Sequence, residues 1–211
     1  MTSASAKISA EQVKQLRERT GAGIVECKDA LVEAGGDPEQ ALRILRDKGR
    51  QIAAEKADRA ARQGLIGSYV HNGRIGVLVE VNCETDFVAK TEPFRQFVQE
   101  LCLQIASMNP RYVSREEVPH EEIVEALGQL HEEIEAVEAE AAQPMQQAHM
   151  EGFYRQRVLL DQPYVRDATK TVQDLLHEAV SILREKIVVR RFTRFVLGED
   201  LGPTAASSPP A

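Results

Sequence analysis

Residues 65–82 read LIGSYVHNGRIGVLVEVN, and this stretch decides the fold. Ile75, Val77, Val79 and Val81 stand at alternate positions, with Glu80 and Asn82 on the opposite side together with Arg74. A period of two is that of a β-strand with one face on a core. Leu65 to His71 is a second strand-like run. Asn72 and Gly73 between the runs are the residue types that tolerate the positive φ angles of a tight hairpin turn.

C-terminal to the hairpin the period lengthens. Glu92 and Pro93 open a helix through about Met108, with Phe94, Phe97, Leu101 and Ile105 on one face, and Asn109-Pro110 ends it. Residues 114–143 are strongly acidic, with Ser114 as a candidate cap. Ile123, Leu127, Leu130, Ile134 and Val137 follow a 4-3-4-3 spacing, a narrow seam suited to a partner helix. The region reads as a helix or a helical hairpin. Residues 145–160 are helical again, and Gln162-Pro163 is a break. Thr171 to Glu185 is a helix with Val172, Leu175, Leu176, Ala179 and Leu183 inside. Ile187 to Leu197 is the last strand. Val189, Arg191, Thr193 and Phe195 lie on one side of it and Val188, Arg190, Phe192, Arg194 and Val196 on the other, so neither face is purely apolar. The simplest sheet places this strand beside the hairpin with helices on one face, which is an α+β core.

N-terminal to the hairpin, residues 9–49 read as three short helices. Ser9 with Gln12 is a capping-box pattern. Thr20, Gly21, Ala22 and Gly23 break the first helix, and Gly35-Gly36 stops the second. Asp37 caps the third, with Pro38 in its first turn, Gln40 completing a second capping box, and Gly49 at its end. Residues 50–63 are rich in alanine and charge and read as an exposed linker helix. The division expected is therefore a flexible N-terminus over 1–8, a three-helix domain over 9–49, the linker over 50–63, the α+β core over 64–198, and a disordered tail over 199–211.

The chain has 211 residues, 43% of them apolar, enough to bury a core. Its net charge of −7 argues against a nucleic-acid binder and fits a partner with a complementary basic patch. Cys27, Cys83 and Cys102 are odd in number and widely spaced, which suits neither a disulfide framework nor paired zinc ligands and points to a reducing cytosol. MTSASAKIS, the first nine residues, lacks the apolar segment of a secretory signal, and no apolar run approaches the roughly 18 residues of a membrane span.

The segment most able to carry function runs from Glu80 through Thr85, Asp86, Phe87 and Val88 to Lys90. It leaves a strand and enters a helix, and sets an acid beside a large aromatic where the chain turns. Two readings stand at this point: Thr85 and Asp86 cap the next helix while Phe87 packs inward, or the group faces a partner. Thr20 to Gly23 lacks the spacing and the Lys-Ser/Thr of a phosphate loop and reads as a tight turn. His120-Glu121-Glu122-Ile123 recurs as His131-Glu132-Glu133-Ile134, but histidines three helical turns apart cannot share a metal. His71 and His177 have no nucleophile-like partner nearby in the sequence. Arg184, Lys186, Arg190, Arg191 and Arg194, with Phe192 and Phe195 between, could stack on single-stranded nucleic acid or form a half-exposed edge strand.

Three stretches resemble the bacterial elongation factor Ts family: LRERTGAG at 16–23 with CKDAL at 27–31; RIGVLVEVNCETDFVAK at 74–90; and, more weakly, QPY at 162–164 with IVVRRF at 187–192 and Phe195. The resemblance covers about residues 8–198. It implies a ubiquitin-associated-like three-helix N-terminal domain and an α+β core serving dimerisation, with no catalytic residue, metal or cofactor of its own. It implies guanine nucleotide exchange on the GDP-bound GTPase elongation factor Tu in the cytoplasm, without direct contact to nucleic acid or membrane. In the family, the stretch matching Thr85, Asp86, Phe87 and Val88 inserts near the Mg²⁺ and nucleotide site of the GTPase. The N-terminal domain contacts the nucleotide-binding domain, here through Val13, Leu16, Arg17, Thr20, Gly21, Ala22 and Gly23. Ile24-Val25 stand where many relatives carry methionines. Long members have two related core halves, whereas this chain has one, like the short members that pair as homodimers; the oligomeric state stays open. An adaptor that binds another partner through the three-helix module is the alternative.

Overall fold

The computed structural model describes residues 8–135 and 139–200. In chain order it forms α1 (Ala10–Thr20), α2 (Ile24–Glu33), α3 (Pro38–Glu55), β1 (Gln63–His71), β2 (Ile75–Cys83), α4 (Asp86–Ala89), α5 (Glu92–Met108), α6 (His120–Glu135), α7 (Ala139–Arg157), β3 (Pro163–Tyr164), β4 (Asp167–Thr171), α8 (Val172–Leu183) and β5 (Val188–Val196). Helices with a small antiparallel sheet make this an α+β fold. Of the flexible ends expected from the sequence, residues 1–7 and 201–211 lie outside the described part, as do the side chains of His131 and Ile134 and all of Val137.

The hairpin forms as its pattern requires. β1 and β2 pair antiparallel from Gln63↔Cys83 to His71↔Ile75, and Asn72 (φ 51°) with Gly73 (φ 66°) makes the turn. β5 joins the free edge of β2, giving the order β1-β2-β5. Val77, Val79, Val81 and Cys83 are buried on the inner face, against Phe94, Phe97, Val98, Leu101, Cys102 and Ile105 of α5. Gly67 permits that approach: a Cβ there would lie 2.4 Å from Val98 Cγ1 and 3.1 Å from Cys102 Sγ. The mixed character of β5 has a local cause. The pairing slips between Glu80↔Arg191 and Val81↔Val189, leaving Arg190 as an extra residue in a β-bulge. The bulge turns Val189 into the core while Phe192 pairs with Val79, so the strict alternation expected along the strand is not kept.

The N-terminal helices pack around Leu16, Cys27, Ala30, Leu31 and Ala41. Ser9 and Gln12 form the reciprocal capping box. Asp37 caps α3 by accepting from the N–H groups of Glu39 (2.9 Å) and Gln40 (3.3 Å). Its own N–H goes to the Ala34 carbonyl (3.2 Å), so the returning bond expected from Gln40 is not made. Gly49 does not end α3, which runs on to Glu55. This glycine is buried, and a Cβ on it would press within 3.2 Å of the His177 carbonyl oxygen. It is there for close helix approach. The following turns of α3, expected as an exposed linker, lay Ile52 and Ala53 against the main core, and Arg50 pairs with Asp174 at 2.9 Å.

The acidic region supplies its own partner helix. Beyond a short 3-10 turn at Arg115–Glu117, α6 packs on α7 around Val118, Ala126, Phe153 and Val158. Arg115 fastens the base of this arm to Glu151 (2.9 Å) and Asp161 (2.8 Å). The Gln162-Pro163 break starts the two-stranded β3–β4 ribbon, which the sequence reading missed. Gln162 is fully buried and accepts from the Gln104 amide (3.1 Å), while Tyr164 donates to Glu100 (2.7 Å).

A braced turn and an exposed aromatic

Thr85 is extended (φ −126°, ψ 153°), and its hydroxyl accepts from the Val88 N–H, so it caps the one-turn helix α4. The capping half of the local reading therefore holds for Thr85, and Asp86 is the first helical residue. The inward-packing half does not hold. Phe87 is 79% exposed, the most exposed of the large apolar side chains among the described residues. Val88 and Ala89 turn the other way, into the core beneath the sheet end. Asp86 is exposed and paired with Lys90 at 2.6 Å, and this bond to the ammonium holds its carboxyl below the usual carboxylate range.

The turn is held from two sides. Beneath it, the Cys83 thiol donates to the Thr85 carbonyl at 3.1 Å. Burial, then the negative charge of Glu185, pushes this thiol up to about 11, so it stays protonated and able to donate. From the side, the Glu185 carboxylate accepts from the N–H groups of Glu84 and Thr85 (both 3.0 Å) and from the Thr85 hydroxyl (2.6 Å). Glu84 answers by accepting from the Lys186 N–H (2.6 Å) and from Arg59 (3.2 Å). Charge-assisted bonds of this kind are the stronger ones in proteins.

The other sequence-predicted residues gather at the turn between α1 and α2. Gly21 is left-handed (φ 68°) and closes α1 by donating to the Arg17 carbonyl at 2.7 Å. Arg17, Gly21 and Gly23 are exposed, and Val13 and Thr20 are half-buried. Leu16, 1% exposed, and Ala22 are enclosed in the helical core and set this surface from behind. Ile24 (58%) and Val25 (69%) present an exposed apolar pair at the start of α2. A shallow groove lined by Val13, Lys14, Arg17, Gly21 and Ile24 opens beside them. The two regions come together through one short segment. Arg184, next to Glu185, pairs with Glu26 in the first turn of α2, and Ile182 lies against Gly21.

Sequence reasoning missed Glu185 and Glu84 because their partners are about a hundred residues away and no local spacing marks them. It also missed the outer face of the sheet, where Ile66, Val70, Leu78 and Phe195 are exposed together. The basic cluster is partly neutralised: Arg190 and Arg191 both face Glu80. Among the described residues no group of three or more His, Cys, Asp or Glu side chains is placed to hold a metal, and no helix is long and apolar enough to cross a membrane.

Comparison with known proteins gives a consistent result. The family model described as "Elongation factor TS" matches residues 10–199. The chain is 53% identical over 197 residues to elongation factor Ts of Caldanaerobacter subterraneus subsp. tengcongensis, covering 92% of this chain and 98% of that one. It is 52% identical over 204 residues to elongation factor Ts of Thermoanaerobacter sp. strain X514, with 92% and 97% covered. It is 52% identical over 197 residues to elongation factor Ts of Coprothermobacter proteolyticus, with 92% and 100% covered.

Proposed function

The chain belongs to the elongation factor Ts family, and on that premise we propose that it is a guanine nucleotide exchange factor for the GTPase elongation factor Tu. A role in translation elongation follows from the family. The finer reading is that the chain binds the GDP-bound GTPase in the cytoplasm, loosens its Mg²⁺ and phosphate site, and lets GTP replace GDP, with no chemical step of its own.

The observation that carries this reading is Phe87, exposed on a turn that is itself held fast. An exposed aromatic costs solvation in the free protein and is worth most when a partner buries it. Preorganisation of the turn limits the entropy lost when it docks. Phe87 wedges between elements of the GTPase, Asp86 disturbs the hydrogen bonds or water shell around Mg²⁺, and Thr85 and Val88 hold the wedge. Mg²⁺ demands near-octahedral oxygen geometry, so small displacements of its ligands weaken it. Factor and nucleotide then disfavour each other by the same coupling free energy. A thousandfold loss of GDP affinity requires about 4 kcal/mol, of which one buried aromatic anchor supplies roughly 2.

Residues 9–49 act in this scheme as a ubiquitin-associated-like domain. It adds contact area to the nucleotide-binding domain of the GTPase through Arg17, Gly21, Gly23 and the apolar pair Ile24-Val25. The proposal also includes a homodimer, supported by the exposed apolar outer face of the sheet. The test is direct. Elongation factor Tu carrying fluorescent GDP is mixed with substoichiometric chain and chased with unlabelled nucleotide. Accelerated release at many turnovers per factor is expected. Unchanged release with a folded chain would refute exchange and leave the adaptor reading, which a fragment ending after the third helix could then address by partner capture.

A further inference from the structure

We propose that residues 184–186 form a brace that fixes the two partner-facing regions relative to each other, with Glu185 as the positioning residue for Phe87. The inference rests on the exchange reading of Phe87. Three consecutive residues reach three different elements. Arg184 pairs with Glu26 at the start of α2. Glu185 takes the N–H groups of Glu84 and Thr85 and the Thr85 hydroxyl. Lys186 gives its N–H to Glu84 and its ammonium to the Ala57 carbonyl, beyond the end of α3. Arg184 is left-handed (φ 58°) and closes α8. That sharp turn takes the chain off the helix axis, so the side chains of Arg184 and Glu185 reach different elements.

The consequence is geometric. Neighbouring Cα atoms are about 3.8 Å apart, so the anchors of α2 and of the Phe87 turn are separated by one peptide unit. Residues 184–186 thus tie the two regions directly, in addition to the packing of α3 on α8. Phe87 is exposed, so its direction is set by the backbone of the turn that carries it, and that turn is held by the Thr85 cap, the Cys83 thiol and Glu185. Where a turn is competent only part of the time, apparent affinity falls by that fraction. A turn freed from Glu185 and competent one time in ten would thus exchange about tenfold more slowly at subsaturating factor.

The experiment is a double-mutant cycle on GDP release from elongation factor Tu, using the full chain. Phe87→Ala, Glu185→Ala and the double variant are compared, with Glu185→Gln as the conservative change. The expected result is a loss of about tenfold for Glu185→Ala. Glu185→Gln, whose amide can still accept from the two N–H groups, should recover to within about threefold. In the Phe87→Ala background, Glu185→Ala should cost less than about twofold, because both changes remove the same contact. A full tenfold loss in both backgrounds would show that Glu185 acts on the fold at large and would overturn the brace. So would undiminished exchange by Glu185→Ala. Undiminished exchange by Phe87→Ala would overturn the exchange reading itself, a separate result. Glu185→Asp, one methylene too short to span both N–H groups and the hydroxyl, takes the place of the alanine variant if that fails to fold.

Discussion

If Phe87 docks on the GTPase as proposed, its replacement by alanine should separate binding from folding. Phe87 is 79% exposed, so the free protein draws little stability from it. A surface truncation of this kind changes folding free energy by at most about 0.5 kcal/mol. For a domain of this size that moves Tm by no more than about 2 °C. Binding is a different matter. Fully burying a phenylalanine side chain is worth roughly 1.5–3 kcal/mol. About four-fifths of that burial is still available to a partner, which gives about 2 kcal/mol lost on truncation, or about a 30-fold fall in the exchange rate at subsaturating factor. Stopped-flow release of fluorescent GDP from elongation factor Tu measures the rate, and thermal unfolding followed by circular dichroism measures Tm. Glu121→Ala, on an exposed position of α6, is the control. Two results would refute the reasoning: a rate within about twofold of the control, or a rate loss accompanied by a Tm drop beyond about 5 °C. The first removes Phe87 from the interface, and the second makes it a core residue in disguise.

Three further outcomes are expected. Gly67→Ala puts a Cβ 2.4 Å from Val98 Cγ1, so α5 must lift from the sheet; the cost should be about 2 kcal/mol, seen as a lower urea midpoint with unchanged m-value, and an unaltered midpoint would show that the helix yields freely. His177 has its pKa lowered from 6.5, chiefly by burial and further by Arg50, against an opposing pull from Asp174. Its folded form therefore binds fewer protons than the unfolded chain, so stability is complete above pH 6.5 and is lost as pH falls below it; Tm should drop between pH 7 and 5 by less in His177→Gln than in the parent, and parallel curves would refute the assignment. Leu78→Asp, at an exposed position central to the outer sheet face, should convert a dimer into a monomer in sedimentation velocity while leaving Tm within about 2 °C; a monomeric parent would exclude the dimer at once.

The parts of the fold carried by local periodicity were readable in the sequence. The hairpin follows from alternation and Asn72-Gly73, and α5 follows from Phe94, Phe97, Leu101 and Ile105 between Pro93 and Asn109. Thr85 as a cap and the turn at Gly21 are equally local. What escaped depends on distant contacts. Gly49 looks like a helix stop until His177 is known to sit against it. The bulge at Arg190 is set by how Val81 and Val79 both find apolar partners on β5, which no inspection of β5 alone discloses. Gln162-Pro163 reads as a break because the buried amide of Gln104 that holds it belongs to another helix. Phe87 illustrates the same limit at the site. Local chemistry left its direction undecided, since an aromatic after a cap packs inward as readily as outward, and the surrounding core decides by being already filled by Val88 and Ala89.

The sheet order has a consequence for a chain made from one end. β2 is complete at Cys83, yet its second neighbour is β5, and Ile75 pairs with Val196. Glu84 and Thr85 likewise wait for a carboxylate 101 and 100 residues later. On a ribosome that adds about 5–20 residues per second, the hairpin and the turn that follows it, with Phe87, exist for several seconds before their last strand and clamp are synthesised. During that interval the small core shared by the three N-terminal helices, built from contacts among residues 8–45, can already form, while the seat of α3 on α8 cannot. A chain that stops before Glu185 therefore has its hairpin but lacks the clamp on the turn that carries Phe87. On the exchange reading, competence would therefore come late in synthesis, once the segment after α8 has emerged to clamp the Phe87 turn.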